Sequence, residues 1–248
     1  MEPDVRAAID QSTLRLLPAD RLEALLADAV AIELPRGGPY HSNGTQPPPG
    51  IVLSGLIRVY LAAPDGRTLT IRYARQGGLL GIAPFFSPIP TIGGGSAVAA
   101  SRVLLFRPTT LVHLARTDIT VASTFLAEVS ERSVRFSAEI GAASFLSLRQ
   151  RVVRHLLDVS AVSPGTGLPS PEPSQPTFGA PGAAGAETAP PIIEISQQEL
   201  ADAVGSLREV VVRILRDLRD DGLIETARNG IRLTDPARLY ASTFPQEP

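Results

Sequence analysis

The sequence predicts an α+β chain in which a β-rich N-terminal part is followed by a long helix and a small C-terminal domain. Three observations predict this order. Short strand-like runs separated by turn residues fill residues 29–106, a helical pattern covers residues 118–160, and two helix starts with a hairpin signal lie within residues 195–233. A chain of 248 residues can hold two modest domains of this kind.

The composition is that of a protein with hydrophobic cores and without covalent cross-links. Hydrophobic residues make up 44% of the chain, and the absence of cysteine excludes disulfides and thiolate metal sites. The first residues are acidic and carry no apolar run, so we expect no secretory signal, no membrane insertion and a cytoplasmic protein. All 23 basic residues are arginine, and 25 acidic residues leave a net charge of −2. Any nucleic-acid binding must therefore use a local patch.

The β-rich part begins with a short helix. Residues 13–28 form this helix, entered through Pro18, with Leu22, Leu25 and Leu26 on its apolar face. Strand-like runs follow at residues 29–34, 51–55, 56–62, 69–73 and 97–106, with a hairpin turn at Pro64-Asp65-Gly66. Many short strands with turn signals are typical of a β-sandwich or roll.

A helical pattern runs from residue 118 to residue 160 and leads into a low-complexity stretch. One face of the first helix carries Phe125, Val129, Arg132, Phe136, Glu139 and Ala143. The 29 residues 163–191 include eight prolines, five glycines and five alanines. Such a composition cannot bury enough apolar surface to offset its ordering entropy, so we expect a flexible insertion.

The stretch from residue 195 to residue 233 contains two helix starts ten residues apart. Ser196 with Glu199 and Ser206 with Glu209 both have the Ser-x-x-Glu form of a capping box. Gly205 falls between them, where a helix end requires a left-handed residue. The pattern predicts a helix, a tight turn and a second helix.

The second of these helices is amphipathic, and a hairpin signal follows it. Its core face is predicted to carry Val211, Ile214, Leu215 and Leu218, and its opposite face Arg208, Glu209, Val212, Arg213 and Arg216. An arginine-bearing helix with an apolar back fits the DNA major groove. Asn229-Gly230 then lies between two alternating runs, which indicates a two-residue hairpin and completes a winged helix. An ordinary two-helix fragment with a hairpin stays open at this point.

The residues themselves resemble a known segment. Gln198-Glu199-Leu200-Ala201, Val204-Gly205, Arg208-Glu209, Val211, Arg213, Leu215, Leu218 and Gly222-Leu223-Ile224 follow the pattern of the DNA-binding segment of the CRP/FNR family of bacterial transcription regulators. Leu207 and Val210 depart from it, at a Ser/Thr and a Thr position. The stretch LSGLIRVYLAAPDGRTLTIRYARQGGLLGI resembles the family's cyclic-nucleotide-binding jelly roll, with Gly55, Asp65 and Gly66 as turn residues.

The resemblance implies five segments. They are an effector-sensing β jelly roll at residues 1–117, a dimerisation helix at 118–145, a following helix at 146–162, the insertion at 163–191 and a winged helix-turn-helix DNA-binding domain at 192–248. It also implies double-stranded operator DNA, a second copy of the chain and RNA polymerase as partners, with the protein on the nucleoid when DNA-bound. The implied DNA-binding residues are Gln197, Ser206, Arg208, Glu209, Val212, Arg213 and Arg216, and the implied half-site is TGTGA-like.

The resemblance also defines a candidate effector pocket, but the residues that hold a cyclic nucleotide in relatives are missing. Ile82 stands where the family has a ribose-binding Glu, and Thr91 stands where it has a phosphate-binding Arg. We therefore do not expect cyclic AMP as effector, and we expect no cofactor or metal. Gly93-Gly94-Gly95 is interpreted as a flexible loop in preference to a phosphate cradle. The implied pocket residues are Arg72, Gly81, Ile82, Ala83, Thr91, Ile92, Arg132, Phe136 and Ser137.

The sequence also bears on two other classes of function. An enzyme is disfavoured because the three histidines, His41, His113 and His155, lie far apart in sequence and no phosphate loop or nucleophile elbow occurs. The serious alternative is a ligand-sensing or protein-interaction module whose winged helix has lost DNA binding. Arg208, Glu209 and Arg213 argue against it, because loss of function would not be expected to leave all three in place.

Overall fold

The computed structural model describes residues 2–66, 68–160, 192–193, 195–227 and 230–243. The chain forms two compact units, of which the first extends to Phe136 and the second begins at Ser137, with a few residues near residue 68 grouped with the second. The predicted insertion at 163–191 lies outside the described residues.

The first part of the chain alternates between helices and short strands. Its elements are α1 (Pro3–Asp10), α2 (Ala19–Leu26), β1 (Val30–Leu34), β2 (Pro39–His41), β3 (Gly50–Ser54), β4 (Ile57–Ala62), β5 (Thr68–Ala74), β6 (Leu79–Leu80), β7 (Gly94–Ala97), β8 (Ser101–Leu105) and α3 (Pro108–Thr117). The 27-residue helix α4 (Ile119–Phe145) follows. Within the described part of the chain, no helix is long and apolar enough to cross a membrane.

The strands form the predicted sandwich of two four-stranded sheets. One sheet has the order β1-β8-β3-β6 and the other β2-β7-β4-β5. Side chains from both sheets meet in one core, which includes Val52, Ile57 and Val103. The other face of the first sheet is covered by α1, α2, α3 and the start of α4, with Ile51 and Leu53 packed among them. Because β3 is covered on both faces, its first four residues are all buried.

The predicted strand at residues 97–106 is wrong as a single element. The structure has β7 and β8 there, in different sheets, separated by residues 98–100. The chain changes sheets at Ser101, whose Oγ accepts from the Leu56 amide at 3.0 Å and donates to the Ala99 carbonyl at 2.7 Å. Gly55 makes this crossing possible, because a Cβ there would lie 2.3 Å from Ser101 Oγ.

The interpretation of Gly93-Gly94-Gly95 as a flexible loop is also wrong. Gly94 and Gly95 are buried residues of β7, paired with Tyr60 and Val59 of β4. A Cβ at Gly94 would lie 2.5 Å from the Tyr60 hydroxyl oxygen, so any larger residue would displace the ring. The Gly93 amide donates to Asn43 Oδ1 at 2.7 Å and is therefore occupied.

The C-terminal part is a helix pair with a small sheet. Its elements are α5 (Leu148–Ser160), β9 (Ile192–Ile193), α6 (Gln197–Val204), α7 (Arg208–Asp220), β10 (Ile224–Ala227), β11 (Gly230–Leu233) and α8 (Pro236–Thr243). The predicted hairpin is β10–β11, and β9 pairs with the free side of β11 as a third strand. The predicted position of the turn, Asn229-Gly230, is wrong by one residue: Gly230 belongs to β11 and pairs with Ala227, so residues 228 and 229 connect the strands, and these two lie outside the described residues.

Of the two predicted capping boxes, only the first forms. Ser196 Oγ accepts from the Glu199 amide at 3.1 Å, and the Glu199 carboxylate accepts from the Ser196 amide at 2.7 Å. Gly205 is left-handed, with φ of 66°, as predicted. The second box is wrong, because the Ser206 amide donates to the Ala201 carbonyl and Ser206 thus closes α6. Helix α7 begins one residue later, with Leu207 as an N-cap that makes no side-chain bond.

The two serines provide a matched test of these cap assignments. Replacing Ser196 by alanine removes a side-chain acceptor for the Glu199 amide, so we expect the free energy of unfolding to fall by about 1 kcal/mol. Ser206→Ala is the control and should stay within about 0.5 kcal/mol of the parent chain. Urea unfolding followed by circular dichroism measures both, and equal losses would contradict the assignments.

Candidate nucleic-acid interface and arginine cluster

Helix α7 presents one apolar and one charged face. Val211, Leu215 and Leu218 are buried, and Ile214 is half-buried beside them, as predicted. The charged side chains on the other side are exposed, with Val212 half-buried among them. The exposed set comprises Arg208, Glu209, Arg213 and Arg216.

The start of α7 lies beside the start of α6. Arg208 Nη2 is 3.5 Å from Gln197 Oε1, which brings two of the predicted DNA-binding residues together. Both Gln197 and Ser206 are half-buried at this edge. Glu209, which sequence reasoning gave a possible capping role, makes no hydrogen bond or ion pair within the described residues. Its carboxylate is therefore available to accept a bond from outside the chain.

The neighbouring arginines hold α7 in position, and sequence reasoning assigned them no such role. Arg149 on α5 forms an ion pair of 2.8 Å with Asp221 at the end of α7. Arg151 Nη1 donates to the Val204 carbonyl at 3.1 Å, which satisfies the end of α6. Arg219 Nη1 donates to Thr226 Oγ1 at 2.9 Å and joins α7 to β10. The only signal for these roles is an arginine close to a helix end.

The predicted effector residues do not form one group in the structure. Ile82 is fully buried in the core beneath the helices, whereas Ile92 is 70% exposed. Gly81 has a φ of 63°, where a Cβ would lie 2.1 Å from the Pro48 carbonyl oxygen. The others are spread between half-burial and exposure. Thr91 is half-buried, and Ala83, Phe136 and Ser137 are exposed.

Two of the predicted effector residues do meet, at one backbone oxygen. Arg72 Nη2 on β5 donates to the Leu79 carbonyl at 2.7 Å, and Arg132 Nη2 on α4 donates to the same oxygen. Arg132 is compensated by Glu128, since Arg132 Nη2 lies 2.6 Å from Glu128 Oε1. Arg72 forms no ion pair with any described residue, although the Glu128 charge acts on it from a distance.

The electrostatics of Arg72 reflect this arrangement. Burial, followed by the positive charge of Arg132, lowers the pKa of Arg72 to about 9, against the smaller opposing effects of Glu128 and Tyr40. Burial also raises the pKa of the Tyr40 hydroxyl, which donates to the Pro48 carbonyl. Arg72 and Arg132, which share the Leu79 carbonyl, are called the arginine cluster below. The Arg72 guanidinium in this cluster is charged at neutral pH although its surroundings disfavour the charged form.

Comparisons with known proteins agree with this geometry. A family model described as a Crp-like helix-turn-helix domain matches residues 150–242. Transcriptional regulator LdrP of Thermus thermophilus is 29% identical over 185 residues, which cover 75% of this chain and 82% of LdrP. The cAMP-activated global transcriptional regulator Vfr of Pseudomonas aeruginosa is 24% identical over 182 residues, with 70% and 74% covered. A crystal structure of a crp/fnr-family regulator from Eubacterium rectale superimposes with a TM-score of 0.73 at 18% identity and covers 92% of this chain and 95% of the other.

Fold and interface together define a DNA-binding transcription regulator, with a β sandwich in its N-terminal part and a helix-turn-helix in its C-terminal part. Its C-terminal part matches the Crp-like helix-turn-helix domain, and three quarters of the chain are similar to the transcriptional regulator LdrP, so the chain resembles regulators of the CRP/FNR type.

The pKa of Arg72 leads to a prediction about stability. Because the folded state lowers this pKa from 12.5 to about 9, the charge of Arg72 destabilises the fold at neutral pH, and the penalty is lost as pH rises from 9 toward 12.5. Arg72→Met should therefore be more stable than the parent chain at pH 7, by about 1–4 kcal/mol. The Leu79 carbonyl keeps its bond from Arg132 in this variant.

Urea unfolding at neutral pH and above pH 9 measures the difference between Arg72→Met and the parent chain. We expect the difference to shrink at the higher pH. The exposed Arg116 of α3 provides the control, since Arg116→Met changes the same side chain outside the cluster. A variant that is less stable than the parent chain by the same amount at both pH values would contradict the prediction.

Proposed function

We propose that this chain binds a palindromic operator as a homodimer and regulates transcription there, with RNA polymerase as a further partner. The observation that carries the proposal is the exposed start of α7, where Arg208, Glu209 and Arg213 have no partner among the described residues that would prevent base contacts, apart from the long 3.5 Å contact to Gln197. A family model match that includes this helix supports the assignment to DNA.

The chemistry of the three side chains fits a TGTGA-like half-site. A guanidinium presents a planar set of donors, and Arg208 and Arg213 would each bind O6 and N7 of a guanine. The Glu209 carboxylate would accept from a cytosine amine. Residues 192–248 carry seven arginines against ten acidic residues, so binding depends on these side chains and not on the domain's net charge.

Replacing Arg208 by alanine should weaken binding to the specific site by roughly 1–3 kcal/mol and relax one base position. The loss follows from a guanine left without its paired donors. Fluorescence anisotropy with the operator and with single-base variants measures both effects. Arg238→Ala, on the exposed side of α8, is the matched control and should bind as the parent chain does. Equal weakening of Arg208→Ala on all sequences would reduce Arg208 to a phosphate contact.

The homodimer is proposed to form through α4. This helix exposes several large apolar side chains, whereas Val121 and Phe125 near its start are buried in the core. Ile119, Leu126 and Ile140 recur at multiples of seven residues, the spacing that keeps one line of a helix against a partner helix. Among the described large hydrophobic residues of the helix, Phe145 and Ile119 are the most exposed, at 85% and 81%.

A charge at the centre of this surface should separate the dimer. Leu126 is 66% exposed in one chain, and its burial against a second chain would contribute about 1.5–3 kcal/mol. We expect Leu126→Glu to sediment as a monomer at concentrations where the parent chain is a dimer. Ile89→Glu, at a 75% exposed position outside α4, should stay dimeric. A parent chain that is monomeric at micromolar concentration would exclude the dimer.

Cyclic AMP is not proposed as the effector, although Vfr is cAMP-activated by name. The position of the ribose-binding Glu is Ile82, which is fully buried in the hydrophobic core. The position of the phosphate-binding Arg is Thr91, which carries no charge. Each lost charge-assisted bond costs about 1.5–3 kcal/mol. The loss of both bonds would weaken nucleotide binding by roughly two to four powers of ten.

Titration calorimetry with cyclic AMP and cyclic GMP tests this part of the proposal. We expect no binding of either nucleotide at micromolar concentration, because neither of the two positions offers a charge. Binding of either at that concentration would show that other residues have replaced the missing pair.

A second candidate function is favoured by one observation. The net charge of −3 over residues 192–248 is unusual for a DNA-binding domain and suits a module that senses a ligand or binds a protein. Failure of the purified protein to select any DNA fragment would favour this alternative.

A further inference from the structure

The arginine cluster lies in the N-terminal part of the chain, where the proposed regulator would sense its effector. A ligand class assigned to this cluster therefore rests on the proposed function. A buried cation without a carboxylate partner is costly and is retained where something compensates it. Arg72 approaches this situation: it is half-buried, and within the described residues its guanidinium bonds only the neutral Leu79 carbonyl. A guanidinium has five N–H donors, so most of its donors remain available.

The carboxylates near the cluster are already occupied. Glu128 accepts from Arg132 Nε at 2.7 Å and from Thr13 Oγ1 at 3.0 Å, so both of its oxygens are in use. Glu131 is likewise paired with Arg135, at 2.6 Å. Neither carboxylate bonds Arg72, and the positive charges of Arg132 and Arg135 act on it. Arg75, which is also disfavoured by burial and by Arg135, adds a further positive charge nearby. The group as a whole is short of negative charge.

We propose that Arg72 and Arg132 bind an oxyanion, either a phosphate or a carboxylate group of a small molecule. The convergence of the two guanidinium groups on the Leu79 carbonyl places their donors close together, as fork-like recognition of an oxyanion requires. Both residues lie in the first compact unit, on β5 and on the first part of α4. The two positive charges that would bind the anion thus lie on a strand and a helix. The segment before β7 offers only the neutral Thr91 and the exposed Ile92.

The neighbourhood also limits the rest of the ligand. Ile82 is buried in the core and offers no acceptor for a sugar hydroxyl, so this position would not favour a ligand that contains ribose. The Tyr40 hydroxyl is used by the Pro48 carbonyl and holds its proton, so it adds no negative charge that would repel an anion. A small phosphorylated or carboxylated metabolite meets these conditions better than a cyclic nucleotide does.

Thermal unfolding of the full chain in Tris chloride, with sodium phosphate, sodium citrate or additional sodium chloride at matched ionic strength, tests the proposal. We expect phosphate or citrate to raise the melting temperature by several degrees in a saturable manner, because the anion binds only the folded protein. A response to phosphate alone or to citrate alone would identify the class of oxyanion. Chloride should give only the small change that ionic screening causes.

Two variants make the experiment specific. Arg72→Met should keep the fold, with a ligand-free melting temperature no lower than that of the parent chain, and should lose the response to phosphate and citrate. Arg116→Met should keep the response. The proposal is wrong if phosphate and citrate act no differently from chloride, or if Arg72→Met responds as the parent chain does.

Failure of the oxyanion site and failure of the proposed DNA binding can be distinguished. Operator binding by Arg72→Met and by the parent chain can be measured with and without the active anion. Absence of an anion response together with operator binding would overturn the oxyanion site and leave the regulator intact. Absence of DNA binding under all conditions, together with a saturable response that depends on Arg72, would overturn the regulator and leave the oxyanion site.

Discussion

The burial of one face of α7 is the constraint on which the DNA-binding part depends. Val211, Leu215 and Leu218 must leave water together, and a helix can bury three such side chains only by exposing the opposite face. The rotation of the helix about its axis is thereby fixed, and Arg208 and Arg213 are directed outward. The ion pair of Arg149 with Asp221 and the bond from Arg219 to Thr226 fix the helix at its far end. Recognition chemistry is therefore a consequence of packing at this site.

The β-sandwich part differs, because it keeps a residue that destabilises the fold. Its sandwich is well packed, and the first sheet is covered on both faces, so stability does not require a charge near the core. Arg72 nevertheless lies there, with a pKa lowered to about 9 mainly by burial. Groups whose pKa is strongly perturbed are concentrated at functional sites, and an anion would convert this cost into binding energy. Arg72 would in this way destabilise the protein without the anion and stabilise the protein with the anion bound.

The order of the elements, the β sandwich, the helix-turn-helix and the two faces of α7 could be predicted from the sequence. Hydrophobic periodicity and turn chemistry, on which these predictions rest, are local properties. Prediction failed where tertiary pairing decides. Ser196 and Ser206 have the same local pattern, but Ser206 closes the preceding turn, and only the folded chain shows this. Three successive glycines predict a loop, although Gly94 and Gly95 belong to β7 and Gly94 packs against the Tyr60 ring on the neighbouring strand.

The candidate sites divide in the same way. The exposed arginines of α7 could be predicted from the motif, since a helix of known period places them on one face. The meeting of Arg72 and Arg132 joins a strand and a helix that are 60 residues apart in the chain, and no local pattern indicates such a pairing. Alternation along β5 indicated which residues share a face with Arg72, but not that Arg132 of α4 lies next to this residue.

Sequence-specific DNA binding can be tested by selecting genomic DNA fragments with the purified protein. Fragments would be bound in the absence of cell extract and again in its presence, and the enriched sequences determined. The account predicts enrichment of a palindrome whose half-sites contain the bases that Arg208, Glu209 and Arg213 read. Recovery of no enriched fragment under either condition would contradict it.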